Sequence, residues 1–334
     1  MTARGQFDLV GHNLIKYEEV RLGSFAAANN LIVAPEDSQD EWARTLMQLI
    51  GDWRATLRST YIRWAMAING LHVAAAKYRD SVDQKKFVVS SIRSDAEGTP
   101  RQEVIAEYTF QEAADFHLKI QSMLCAHGFI DMYAGLEEML FSLYREYWKA
   151  NPDQLLKGKE FAHLRKLRIA ATKGQTAKSA WAVALDQRIN DWQRKKLYDG
   201  LDKVFLGLCQ NAGLKTPSAY TLTSIETWAE SIAGVSLVRN LLMHGESIVP
   251  TALEDFSKKP WALGFHFKAG AQLRLTLFEL QVLETFSDQL LTGLNWSLVE
   301  RACPSLRKAI PTLKKRPADR LRSGETGKPT LANA

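Results

Sequence analysis

Cysteine is scarce in this 334-residue chain: Cys125, Cys209 and Cys303 are odd in number and far apart. They form neither a disulfide framework nor a metal–thiolate pattern, which points to a reducing, cytoplasmic setting. Long apolar runs are also missing, none approaching the roughly 20 residues of a membrane span. The opening MTARGQFDLVGHNLIKYEEV has no apolar core followed by a small-residue cleavage site, so no secretory signal is expected. There is no Gly-x-Ser-x-Gly elbow, no His-Glu-x-x-His and no glycine-rich dinucleotide fingerprint. Hydrolases of those kinds and nicotinamide enzymes therefore find no support. The segment KGQTAKS lacks the second glycine that a phosphate loop requires before Lys-Ser. The usual His, Asp, Glu or Cys spacings for a metal are absent, and neither a metal nor a cofactor is expected.

What is present is ordinary globular composition, 46% hydrophobic and 24% charged, with an uneven net charge of +6. From Arg301 to Ala334 there are nine Lys or Arg against Asp319 and Glu325, a balance of +7, which leaves −1 for residues 1–300. The basic character belongs to the tail, and the body is nearly neutral. The tail, with Pro304, Pro311, Pro317 and Pro329, reads as flexible, and its KKRPADRLRS run suits RNA capture or a simple solvated tail.

Helical periodicity dominates the rest. It begins at Ser38 and continues to about Asp80, with Gly70 as a point of division. Two β-leaning runs, KFVVSSIRS and EVIAEYTF, surround DAEGTPRQ and predict a hairpin. A helix is expected over Gln111 to Trp148, stopping before Asn151-Pro152, and another from about Trp181 to Asn211. A further helix, TSIETWAESIAGVSLVRNLLMHG, is capped by its Thr-x-x-Glu or by Ser224 and stopped by Gly245. WALGFHFK suggests a short strand, and AQLRLTLFELQVLETFSDQLLTGLNWSLVERA a last long helix. The fold class is mainly α: a helical bundle with one or two minor hairpins or strands. Three regions are expected: an N-terminal helical region with a hairpin over 1–110, suited to sensing or holding a partner; a helical domain over 111–300; and a basic tail over 301–334.

The stretch VRNLLMHGESI carries the chemistry. Asn240 and His244 lie four apart and share a helix face, while Arg239 is rotated by roughly 100° from Asn240. Helix capping by itself accounts for His244 and Gly245. It accounts less well for Arg239-Asn240, set among Leu237, Val238, Leu241, Leu242 and Met243, where unpartnered polar groups cost a few kcal/mol, roughly. An imidazole transfers protons near neutral pH, a guanidinium holds phosphate in a two-pronged fork, and an amide orients either one. Those parts suffice for metal-free RNA cleavage by the ribose 2′-hydroxyl.

Arg239-Asn240-x-x-x-His244 resembles the R-(N/D/H)-x(3–5)-H signature of HEPN domains (higher eukaryotes and prokaryotes nucleotide-binding). The helix GFIDMYAGLEEMLFSLYREYW also looks like the first long helix of those domains, with its aromatic and acidic face. The resemblance covers about residues 111–300, and no family is apparent for 1–110. It implies an all-α bundle with endoribonuclease activity, a homodimer whose two Arg239–His244 sets line one cleft, and products ending in 2′,3′-cyclic phosphate. Arg239 would then bind phosphate, Asn240 would orient, and His244 would move the proton. Such proteins serve in toxin–antitoxin and abortive-infection systems, so an antitoxin or another regulatory protein is an implied partner. In members silenced by a nucleotidyltransferase a tyrosine stands two positions after the histidine. Glu246 stands there in this chain, so a different mode of control is expected.

The connector NPDQLLKGKEFAHLRKLRIAATKGQTAKSA, residues 151–180, holds Lys157, Lys159, Arg165, Lys166, Arg168, Lys173 and Lys178 against Asp153 and Glu160. It suits an RNA backbone or a solvated face. Glu137, Glu138 and Glu246 are further candidates for a carboxylate near the site. His117, His127, His163 and His266 sit alone in sequence and read as core or surface residues. The nine tryptophans read as core anchors before stacking platforms. The alternative reading is a non-catalytic helical module, binding protein or RNA, whose motif is only a helix terminus.

Overall fold

A computed structural model describes residues 14–16, 31–33, 40–81, 86–262 and 264–303. The expected basic tail, from residue 304 on, lies outside the described residues. The protein is mainly α, as its periodicity dictates. Strands β1 (Leu14–Lys16) and β2 (Leu31–Val33) pair in parallel and precede helix α1 (Glu41–Arg79). The expected hairpin follows as β3 (Phe87–Ser94) and β4 (Pro100–Tyr108), antiparallel, with an irregularity at Val89/Ser90. Its turn is built by Asp95, whose Oδ1 accepts from the Glu97 and Thr99 amides, and by Gly98 at φ +81°.

Helices α2 (Phe110–Lys119) and α3 (Gln121–Ala150) come next. A short connector carries α4 (Ala162–Ala170), then α5 (Gln175–Lys196) and α6 (Leu201–Ala212). The chain continues with α7 (Ile225–Met243), α8 (Thr251–Ser257) and α9 (Leu277–Ala302).

Four sequence expectations change. Gly70 does not divide α1: its face is open, and a Cβ there would meet nothing within 4 Å, so the helix runs through at the modest propensity cost of a glycine. The Gln111–Trp148 pattern is interrupted at Ile120, although hydrogen bonds from Ile120 N to Phe116 O and from Leu124 N to Ile120 O carry the chain smoothly across. The Trp181–Asn211 pattern is two helices, parted where Gly200 takes φ +92°. The WALGFHFK strand does not form, and 264–276 is irregular except for one bridge between Ile248 and Gln272.

The chain forms two compact units, each assembled from several segments. Of the described residues, the first takes in those within 55–137 and 234–287, the second those within 14–54, 138–233 and 288–303, and helices α1, α3, α7 and α9 each contribute to both. The first unit buries Ile68, Phe129, Met132, Leu136, Val235, Val238, Phe256, Phe265 and Leu283. Glycines set its helix spacing. A Cβ on Gly128 of α3 would meet Leu280 at 2.7 Å and the Trp64 ring at 3.0 Å, and one on Gly234 of α7 would meet the Phe256 ring at 2.5 Å. The Trp64 indole donates to Asp131 Oδ2 at 3.0 Å, tying α1 to α3. The second unit is aromatic at its centre, with Tyr144 between Trp148 (5.1 Å) and Trp192 (4.4 Å). Burial pushes the Tyr144 phenol up to about 12. In the same unit a Cβ on Gly293 of α9 would meet Trp228 of α7 at 2.4 Å, so only glycine fits there.

Candidate active site at the end of α7

Helix α7 begins on a reciprocal cap. The Thr227 amide donates to Ser224 Oγ at 3.3 Å, and the Ser224 amide donates to Thr227 Oγ1 at 2.7 Å, so of the two candidate caps Ser224 serves. The helix stops at Gly245, at φ +69°. There the Glu246 amide donates to Leu241 O at 2.9 Å and the Gly245 amide to Leu242 O at 3.3 Å, the paired bonds of a Schellman ending. The chain that follows is held by the 270–273 segment, with Leu273 N donating to Ser247 O at 2.7 Å and Val249 N to Ala271 O at 2.9 Å. The end of the motif is thus fixed by backbone bonds on both sides.

Val235, Val238 and Leu241 point inward on α7, which rolls Arg239 to the edge of the core and leaves Asn240 and His244 exposed. The Arg239 guanidinium lies over the ring of Tyr133, on α3, with 5.3 Å from its carbon to the ring centroid. Such a contact contributes about 0.5–2 kcal/mol according to its exposure. Nη1 of Arg239 donates to Asn240 Oδ1 at 3.0 Å, and the buried Tyr133 hydroxyl shares a 3.0 Å hydrogen bond with Ser236 Oγ one turn earlier on α7. Glu137 stands one turn beyond Tyr133. Burial pushes its carboxyl above the usual range, and the Arg239 charge pulls the other way.

Arg239 is therefore steadied by neutral groups, and among the described residues it makes no ion pair. Its remaining N–H donors are available to an anion, in the fork geometry that suits phosphate. The His244 imidazole is exposed one helical turn from Asn240, and no side chain among the described residues hydrogen-bonds it. Taken singly, such a guanidinium can hold a phosphate oxyanion and such an imidazole can transfer a proton.

The other candidates are distributed unevenly. Glu137 belongs to this cluster, whereas Glu138 falls in the second unit. Glu246 closes the helix with its amide and leaves its side chain exposed. The basic connector belongs wholly to the second unit. Within it Arg165 donates to the carbonyl of Gly158 at 2.8 Å and to that of Leu156, and Arg168 pairs with Asp153, so both staple the connector to itself. Lys157, Lys159, Lys166, Lys173 and Lys178 are exposed, without partners among the described residues.

Tyr133 and Ser236 were not singled out by sequence reasoning. The aromatic and acidic face of α3 was noted, and the i, i+4 spacing of Tyr133 and Glu137 was the signal available. Which ring lies under the guanidinium depends on how α3 and α7 pack. Among the described residues, no three His, Cys, Asp or Glu side chains are grouped so as to hold a metal ion. No helix there is long and apolar enough to cross a membrane. Comparison of the chain with family models, with curated proteins and with solved structures finds no match.

Proposed function

We propose that this protein is a metal-independent endoribonuclease of HEPN type, working in the cytoplasm in a defence or toxin–antitoxin setting. The observation that carries the reading is an Arg239 that makes no ion pair among the described residues, with an exposed His244 five residues on. A capping role accounts for His244 and Gly245, but gives no reason to set a guanidinium at the core edge without an ion pair. The three cysteines, all buried and unpaired, accord with a reducing compartment.

In the reaction, His244 takes the proton of a ribose 2′-hydroxyl as that oxygen bonds to the adjacent phosphorus. Arg239 neutralises the charge that builds on the non-bridging oxygens, and Asn240 holds the guanidinium in place. The bond from phosphorus to the 5′-oxygen breaks, and that oxygen takes a proton from a second, protonated imidazole. The products are a 2′,3′-cyclic phosphate and a 5′-hydroxyl. Supplying both imidazoles calls for two copies of the chain, with both Arg239–His244 sets in one cleft. The exposed apolar side chains of Met243 and Ile248 beside the motif suit such a contact. Silencing falls to an antitoxin or regulatory protein other than one that modifies a tyrosine, because Glu246 takes that place.

The test is cleavage of a mixed RNA pool by wild type and by His244→Ala, in EDTA, with product ends mapped. Cutting to cyclic-phosphate ends that disappears in the variant supports the reading. Cutting that survives the substitution would place the active site elsewhere, and no cutting by either protein would favour the non-catalytic helical module.

A further inference from the structure

An open cavity of about 760 Å³ lies in the first unit between the α2–α3 junction and the irregular segment before α9. Leu118, Lys119, Ser122, Gln272, Leu273 and Arg274 line it. Two of the six are cations and none is acidic. Arg274 Nε donates to Gln272 Oε1 at 2.9 Å, which orients the guanidinium and leaves both terminal nitrogens without a partner among the described residues. Neither the Lys119 ammonium nor the Ser122 hydroxyl has a hydrogen-bond partner there. The interruption at Ile120 separates the helices from which Lys119 and Ser122 come. The opposite wall is tied to the motif, since Leu273 N donates to Ser247 O and Gln272 bridges Ile248, three and four residues past His244.

We propose that this cavity is a binding subsite for a phosphodiester of single-stranded RNA, engaging a nucleotide away from the bond that is cut. A pocket rich in unused N–H and O–H donors, with two positive charges and no carboxylate, selects an anion. Its size admits a nucleotide rather than only an ion. Its wall continues directly from the loop that follows His244, which gives a strand lying over the motif a second anchor on the same unit. The inference rests on the ribonuclease reading for the identity of the strand, but binding can be read without cleavage.

The experiment uses full-length His244→Ala, so that RNA stays intact, and measures anisotropy of a short labelled single-stranded RNA over a series of salt concentrations. Adding Lys119→Ala and Arg274→Ala together weakens binding about tenfold and flattens the log–log salt slope by about 0.7, the loss of one phosphate contact. Lys119→Arg alone retains the wild-type affinity, and circular dichroism shows the variants folded. In the cleaving protein the same double substitution raises KM and leaves kcat unchanged. Unchanged affinity and slope overturn the subsite even if wild type cuts RNA. An RNA that binds no more tightly than inorganic phosphate, displaced by it at equal concentration, makes this a free-anion site and also overturns the proposal. If binding falls as expected but wild type never cuts, the subsite stands and the ribonuclease reading fails.

Discussion

Two arginines, each at the edge of a helical core, have been given opposite surroundings. Arg54 of α1, in the second unit, is 6% exposed and grips Asp288 of α9 with two prongs, Nε to Oδ1 at 2.6 Å and Nη2 to Oδ2 at 3.0 Å. Arg239 of α7, in the first unit, is half-buried and is hydrogen-bonded to the Asn240 amide and set over the Tyr133 ring, with no ion pair among the described residues. The first arrangement satisfies its own charge and is complete without any ligand. The second fixes the position of a cation without tying it into an ion pair. An enzyme needs the latter at a place where negative charge develops, because a carboxylate partner would already have quenched it. Position among apolar neighbours does not separate the two arginines; the chemistry of the partner does.

The contrast can be broken most violently at Arg54. Asp288→Ala leaves a guanidinium buried without its counter-charge and is expected to lose about 3–5 kcal/mol of stability in urea unfolding. A loss below 1 kcal/mol, roughly, would mean that water or another group satisfies Arg54 and that the pair is not structural.

Arg239→Ala should do the reverse. If the proposed ribonuclease reading holds, RNA cleavage falls about 10²–10³-fold in kcat, while stability shifts by no more than about 1 kcal/mol. Stability lost on the scale of Asp288→Ala, with cleavage retained, would make Arg239 another packing residue.

Tyr133 sharpens the comparison. Tyr133→Phe keeps the ring beneath the guanidinium and removes one hydrogen bond to Ser236, for about 1 kcal/mol of stability and little change in cleavage. Tyr133→Leu removes the ring as well, and kcat should fall further than in the phenylalanine variant by about three- to tenfold, matching a cation–ring contact of roughly 1 kcal/mol. Equal kcat in the two variants would mean that the ring does not steady Arg239.

The smallest effect is a pH dependence. Burial raises the Glu137 carboxyl, more than the Arg239 charge lowers it, so the folded state holds this proton more tightly than the unfolded chain. The stability it contributes is full below the ordinary carboxylate range and is lost as pH rises through the raised folded value. Thermal midpoints of wild type and Glu137→Gln should therefore agree in acid and separate toward neutral pH, with the glutamine variant higher. A lower midpoint for that variant at neutral pH would show that the attraction to Arg239 outweighs burial.

Much of this was legible along the chain, for reasons visible at single residues. Ser224, Thr227 and Gly245 bound α7 by local hydrogen bonding and backbone freedom, which sequence encodes directly. The hairpin turn is similarly local, a matter of Asp95 and Gly98. Less legible were the breaks at Ile120, where apolar periodicity continues across, and at Gly200, whose positive φ parts two helices at a glycine that the sequence reading passed over. Gly70 misled in the other direction, since a glycine on an open face weakens a helix without ending it. For the basic connector, charge counting could not separate Arg165 and Arg168, tied to Gly158 and Asp153, from five lysines that face solvent.

The sequence by itself determined that this is a mainly helical chain, where α7 begins and ends, and that an arginine, an amide and a histidine share that helix end. Those are consequences of period, capping and spacing, all set within a few residues. Tertiary structure alone decided that Arg239 would rest on Tyr133 while Arg54 would lock onto Asp288, residues 106 and 234 positions away, respectively. It also brought Lys119 and Arg274 to one cavity. Such choices arise because burying an apolar face fixes how helices close on one another, and only then is it settled which polar groups meet.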